Sequence, residues 1–163
     1  MIIRPMELED IDQVVFLENM VWTSHTTPAP LPVASREKII HQFEMNTHFL
    51  VALEGGEIVG VLNYEDAYPF PSGSHIVTFG IVVVKESRGL GVGRKLIEVF
   101  LNQARENYKK VVIHVLSSNQ DALPFYQKLG FKQEARLKNQ FYIDEHYVDD
   151  LIYTYNLEDS YAR

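Results

Sequence analysis

This chain of 163 residues has no cysteine, and that absence closes several routes at once. It can have no disulfide framework, no thiolate zinc site and no cysteine nucleophile. No apolar stretch approaches the roughly 20 residues needed to cross a bilayer. The start, Met1-Ile2-Ile3-Arg4-Pro5, lacks a charged segment followed by a long apolar run. Membrane spanning and secretion are therefore not expected, and a reducing cytoplasm is the expected compartment. Basic clusters are missing too. Lysine and arginine together number 15 against 22 acidic residues, a formal net charge of -7, so binding to nucleic acid is disfavoured. The six histidines show no H-E-x-x-H or comparable spacing, and no metal site is expected.

What is present is enough for a core. With 46% hydrophobic and 12% aromatic residues, the chain is expected to fold as a single domain over 1–163. Ile2 to Arg4 reads as a strand stopped by Pro5. A helix follows to about Trp22, with acidic residues at its start and Ile11, Val14, Val15, Leu17 and Val21 near helical spacing. Three prolines within Pro28 to Pro32 then enforce a loop, either a connector or a wall of a substrate site. Ser35 is a candidate cap for a second helix with Ile39, Ile40 and Phe43 inward. Phe49 to Leu53 and Ile58 to Glu65 read as strands joined by a tight turn at Glu54 to Glu57, and Asp66 to Ser74 as a loop.

His75 to Val84 is the next strand, and it leads into Lys85-Glu86-Ser87-Arg88-Gly89-Leu90-Gly91-Val92-Gly93-Arg94. A helix from about Gly91 to Asn107 follows, with Leu96, Ile97, Phe100, Leu101 and Ala104 on one face. A strand feeding a glycine-rich helix start is a phosphate cradle, because the first amides of a helix lack partners and the dipole favours an anion. The letters exclude a Walker A loop, which needs a Lys followed by Ser or Thr. They also exclude a dinucleotide fingerprint, because Arg94 stands where the last glycine belongs. Lys110 to Leu116 is a second strand, so part of the sheet is expected to be parallel. A short helix from Asn119 to Leu129 ends at Gly130, with Pro124 in its first turn. Strands Phe131 to Leu137 and His146 to Asn156 close the fold, and the tail from Glu158 to Arg163 is expected to fray.

Arg88-x-x-Gly91-x-Gly93 resembles the acetyl-CoA loop of the GNAT superfamily of N-acetyltransferases. One helix and one strand later, Asn119-Gln120-Asp121-Ala122-Leu123-Pro124-Phe125-Tyr126-Gln127-Lys128-Leu129-Gly130-Phe131 resembles that family's N-x-x-A-x-x-[FL]-Y-x-K-x-G-F motif. Glu134-Ala135-Arg136 with Tyr147-Val148-Asp149 is similar to a subgroup that acetylates amino acids, amines or protein N-termini. Ala135 departs from its usual glycine. Asp144-Glu145 replaces a common Asn-Gly turn, so a differently shaped hairpin is expected. The resemblance implies an α/β (α+β) GNAT fold: a mixed, mostly antiparallel twisted sheet of about six or seven strands, flanked by about four helices.

It also implies the donor, acetyl-CoA, and its contacts. The backbone of Ile81, Val82 and Val83 would take the pantetheine arm and acetyl carbonyl. The amides of Arg88, Gly89, Leu90, Gly91, Val92, Gly93 and Arg94 would take the pyrophosphate. Asn119 would meet the pantetheine, and Tyr126 would act as general acid at the thioester sulfur, a role suited to a phenol that stays protonated at neutral pH. A base is needed for the incoming ammonium. Relatives often use a glutamate at the position of Thr78, which cannot serve. His114 stands where some ribosomal-protein acetyltransferases place theirs, and His75, Glu65 and Asp66 are further candidates. The expected activity is acetyl transfer to a primary amine on a small molecule or peptide by direct attack in a ternary complex, with a homodimer possible by analogy. The competing expectation is a silent acyl-CoA-binding sensor or scaffold.

Overall fold

The computed structural model describes residues 1–158. Strand β1 (Ile2–Pro5) passes through one turn of 3-10 helix into helix α1 (Ile11–Val21). That corner is pinned by Asp10, which accepts two bonds from the Arg4 guanidinium at 2.7 and 3.1 Å and one from the Glu7 amide at 2.7 Å. Helix α2 (Arg36–Glu44) starts where Ser35 accepts from the Lys38 amide. Ile39 is buried as expected, but Phe43, next to the end of this nine-residue helix, is exposed where inward packing is expected.

Strands β2 (His48–Glu54) and β3 (Glu57–Asp66) form a hairpin whose turn residues, Gly55 and Gly56, both have positive φ. Strand β4 (Ile76–Val83) leads through the glycine turn to helix α3 (Val92–Ala104), which buries all five apolar residues expected of it. Each contributes roughly 1–3 kcal/mol of apolar burial. Strand β5 (Lys110–Leu116) and helix α4 (Ala122–Lys128) follow, with Pro124 in the first turn of α4, where its missing N–H costs nothing.

Strand β6 (Lys132–Ile143) and strand β7 (His146–Asn156) end the described chain. β6 runs six residues past its expected end, across a register shift between Leu137 and Phe141 that hides its alternation. The turn between them is also not the altered hairpin expected. Asp144 (φ 51°) and Glu145 (φ 66°) both adopt the left-handed conformation, giving a two-residue turn closed by Ile143 opposite His146. The expected fraying of the tail concerns residues that, beyond Glu158, lie outside the described ones.

The seven strands form one sheet in the order β1-β2-β3-β4-β5-β7-β6, antiparallel except at β4–β5. One face packs under α3 and α4 around Leu96, Phe100 and Tyr153, and the other under α1 and α2 around Ile11, Val14 and Val61. The parallel junction holds for only two residue pairs, Ile76–Lys110 and Val77–Val111, and beyond them the strands part.

Candidate active site

The parting of β4 and β5 opens a cleft of about 550 Å³ through the sheet. Phe79 to Val83 form one wall and Ile113 to Val115 the other. Past Val77, β4 has no strand partner on its β5 side among the described residues, and although the Val83 carbonyl accepts from Arg88 Nε at 3.2 Å, the edge is open to an extended ligand as a sheet edge is. On the α3 side the cleft meets the glycine turn and the start of α4; on the α1 side it meets Val21, Trp22 and Thr26.

The glycine turn is built for close backbone approach. Gly89 (φ 78°) and Gly91 (φ 85°) adopt a conformation that costs other residues about 1–2 kcal/mol, and a Cβ built at either would meet no atom within 4 Å. Gly91 is the residue before α3 and offers no side-chain cap, so the amides of Val92, Gly93 and Arg94 are left for an anion. Gly93 is needed for a different reason: a Cβ there would stand 3.2 Å from the Phe125 ring of α4. The loop and the helix start thus fit the pyrophosphate of acetyl-CoA.

Strand alternation sorts the side chains by face. Phe79, Ile113 and Val115 point to the α3 side, where Tyr126 also lies. Tyr126 is 8% exposed and lines the cleft, and its hydroxyl has no hydrogen-bond partner among the described residues. Burial pushes the phenol further above its usual range, so it stays protonated at neutral pH. His114, between Ile113 and Val115, points to the α1 side. Its Nδ1 lies 2.7 Å from Oδ2 of Asp150 on β7, and the imidazole is 57% exposed over a carboxylate only 7% exposed. A carboxylate on one ring nitrogen fixes the tautomer and leaves the other nitrogen free to accept a proton.

Ile81, Val82, Val83, Arg88, Gly89, Gly91, Val92, Gly93, Arg94, His114, Asn119 and Tyr126 all line this one cleft. Leu90 does not; its side chain is 72% exposed. Glu65 accepts from Thr47 and Asp66 from Tyr108, and neither they nor His75 reach the cleft. Asp150 and Trp22 are contributors that sequence reasoning missed, whereas Thr26 belongs to the loop from Thr23 to Pro32 read as a possible wall of the substrate site. Asp150 shows itself only once the β5–β7 register sets Leu116 opposite it, two residues from His114. Among the described residues, no three acidic or histidine side chains gather to hold a metal ion, and no helix is long and apolar enough to cross a membrane.

The family model described as "Acetyltransferase (GNAT) family" matches residues 14–131. An N-alpha-acetyltransferase of Sulfurisphaera tokodaii is 28% identical over 153 residues, covering 87% of this chain and 86% of its own. An L-amino acid N-acyltransferase of Escherichia coli K12 is 30% identical over 128 residues, covering 77% and 65%. A crystal structure of a protein from Streptococcus mutans UA159 superposes with a TM-score of 0.96 at 60% identity, over 97% of this chain and all of that one.

Proposed function

The chain belongs to the acetyltransferase (GNAT) family, and on that premise we propose that it transfers acetyl from acetyl-CoA to a primary amine by direct attack, with both substrates bound together. The observation that carries the reading is the placement of two groups on opposite faces of one split sheet. A buried, unpartnered phenol at Tyr126 stands on the α3 side and a carboxylate-bound imidazole at His114 on the α1 side, and both line the same cleft.

Acetyl-CoA supplies, when bound, a thioester whose C–S bond breaks as the amine nitrogen forms the new C–N bond. The amides of Val92 to Arg94 and the turn from Arg88 would hold the pyrophosphate, while the outward edge of β4 at Ile81 to Val83 and Asn119 would align the pantetheine. His114, held by Asp150, takes one proton from the incoming ammonium and leaves a neutral nitrogen able to attack. Tyr126 gives its proton to the departing sulfur, and the second proton lost by nitrogen replaces it through solvent. No side chain needs to carry the acetyl group, in keeping with a chain that has no cysteine.

Melting with and without acetyl-CoA, followed by thiol release against pooled amines, tests the reading. A rise in Tm together with thiol release is expected. His114→Ala is expected to keep the rise but lose about 10²–10⁴-fold in kcat/KM, with the acid limb of the pH–rate profile flattened. A rise without thiol release for any amine would turn the reading to a silent acyl-CoA sensor. Near-normal turnover in His114→Ala would remove that residue from the mechanism.

A further inference from the structure

The α1 side of the cleft shows which amines suit it. Helix α1 ends there: Val21 and Trp22 line the opening, so the C-terminal end of the helix, with its partial negative charge, faces whatever enters. Asp150 lies below His114 and adds a buried carboxylate to the same side. The arginines that line the cleft, Arg88 and Arg94, both belong to the glycine turn on the other side. Of the nearby cations, the Arg136 guanidinium binds Asp149 and Lys110 pairs with Glu134 at 3.3 Å, while Lys138 acts on Asp149 from a distance. Among the described residues, His114, itself held by Asp150, is the one group that lines the α1 side of the cleft and could carry positive charge.

The same side is also strapped. Ser24 Oγ, on the loop between α1 and α2, donates to Asp144 Oδ2 of the β6–β7 turn at 2.5 Å. One residue on, the His25 carbonyl accepts from Ser118 Oγ at 2.8 Å. Thr26 of that loop lines the cleft, so the strap runs beside the opening and ties three segments around it. An extended polypeptide needs an open groove there; a short molecule does not.

We infer that the acceptor is a small primary amine with no carboxylate on the carbon that bears the nitrogen, its body resting against Val21 and Trp22. This rests on the amine acetyltransferase reading and narrows it. An ammonium is drawn by the helix end, by Asp150 and by the indole face, whereas a free amino acid brings an unpaired carboxylate against the same charges.

The test is calorimetric titration of CoA-bound protein with matched pairs, phenethylamine against L-phenylalanine and isoamylamine against L-leucine, and with Leu-Ala-Ala-Ala amide, alongside thiol release from acetyl-CoA for each. The amine of at least one pair is expected to bind about 10–100-fold more tightly than its amino acid, since like charges in such a site are strongly disfavoured. The peptide is expected to bind only when Ser24→Ala and Ser118→Ala together cut both ties of the strap. Equal or tighter binding of the amino acids, binding of the peptide to the unaltered protein, or no binding of either amine would each overturn the inference. Selective amine binding without thiol release would leave it standing and overturn the enzymatic reading instead.

Discussion

Tyr126 keeps its hydroxyl in a place where no described protein group bonds it, which is a cost to folding with a use only at the cleft. Tyr126→Phe removes the cost and the proposed acid together. The variant is expected to melt at or slightly above the parent temperature while kcat/KM falls about 10²–10⁴-fold. A matching loss of stability would mean that the hydroxyl serves the fold. Glu18 is another buried polar group without a hydrogen-bond partner among the described residues. It sits on the inward face of α1, 8% exposed. Desolvation pushes its pKa up to about 7, an effect partly offset by Lys38. Because the folded form holds the proton more tightly than the unfolded chain, stability falls as pH rises through the interval from 4.5 to about 7 and then levels off. Glu18→Gln removes that dependence and is expected to gain roughly 2–3 kcal/mol over the parent at pH 8, with little difference at pH 4. Parallel Tm–pH curves for the two proteins would contradict it. Both residues that the motifs single out for chemistry, His114 and Tyr126, were legible as candidates in the sequence. Asp150 was not, because which carboxylate meets the imidazole depends on the register between two strands 36 residues apart in sequence.

At the scale of the element, the glycine turn and α3 act as one part. A methyl at Gly91 meets open space, so Gly91→Ala is strained by its φ of 85° alone. It is expected to cost about 1–2 kcal/mol, or roughly 2–6 °C in Tm. It is also expected to weaken acetyl-CoA binding, because the amides of the turn lose their orientation. Gly55→Ala, with a φ of 59° in the β2–β3 turn, carries a similar folding cost and should leave acetyl-CoA affinity unchanged. Equal affinities in all three proteins would make the turn a structural one. Elements with unbroken periodicity were read closely: α3 keeps helical spacing through 96, 97, 100, 101 and 104, and the β2–β3 turn announces itself by two glycines. Around Asn139, at φ 51°, β6 bulges out of register and is held there by Asp149, which breaks the alternation that marks a strand. Apolar spacing says which face of α2 can be buried and not how far along its length a partner lies, which is why it counts the exposed Phe43 as inward.

At the scale of the molecule, the decisive feature is a sheet that is continuous at one end and split at the other. That the two central strands are parallel follows from strand, helix and strand in succession, but that they separate after two residue pairs does not. The separation depends on what packs on both faces at once: Gly93 against Phe125 and Tyr126 against Phe79 on one side, and Val82 in the core beneath α1 on the other. No local pattern of letters carries it. The split also bears on the proposed ternary complex. The glycine turn and the phenol open on one side of the sheet and the imidazole on the other, so donor and acceptor can occupy the cleft together, each reaching the reaction centre from its own face. Initial rates measured at several fixed amine concentrations against acetyl-CoA are therefore expected to give intersecting double-reciprocal lines, and mass spectra of protein incubated with acetyl-CoA alone to show no added acetyl group. Parallel lines with an acetylated protein would require a carrier residue. The nucleophilic side chains lining the cleft are Thr26, Ser87, His114, Asp121 and Tyr126, and substitution of each would locate it.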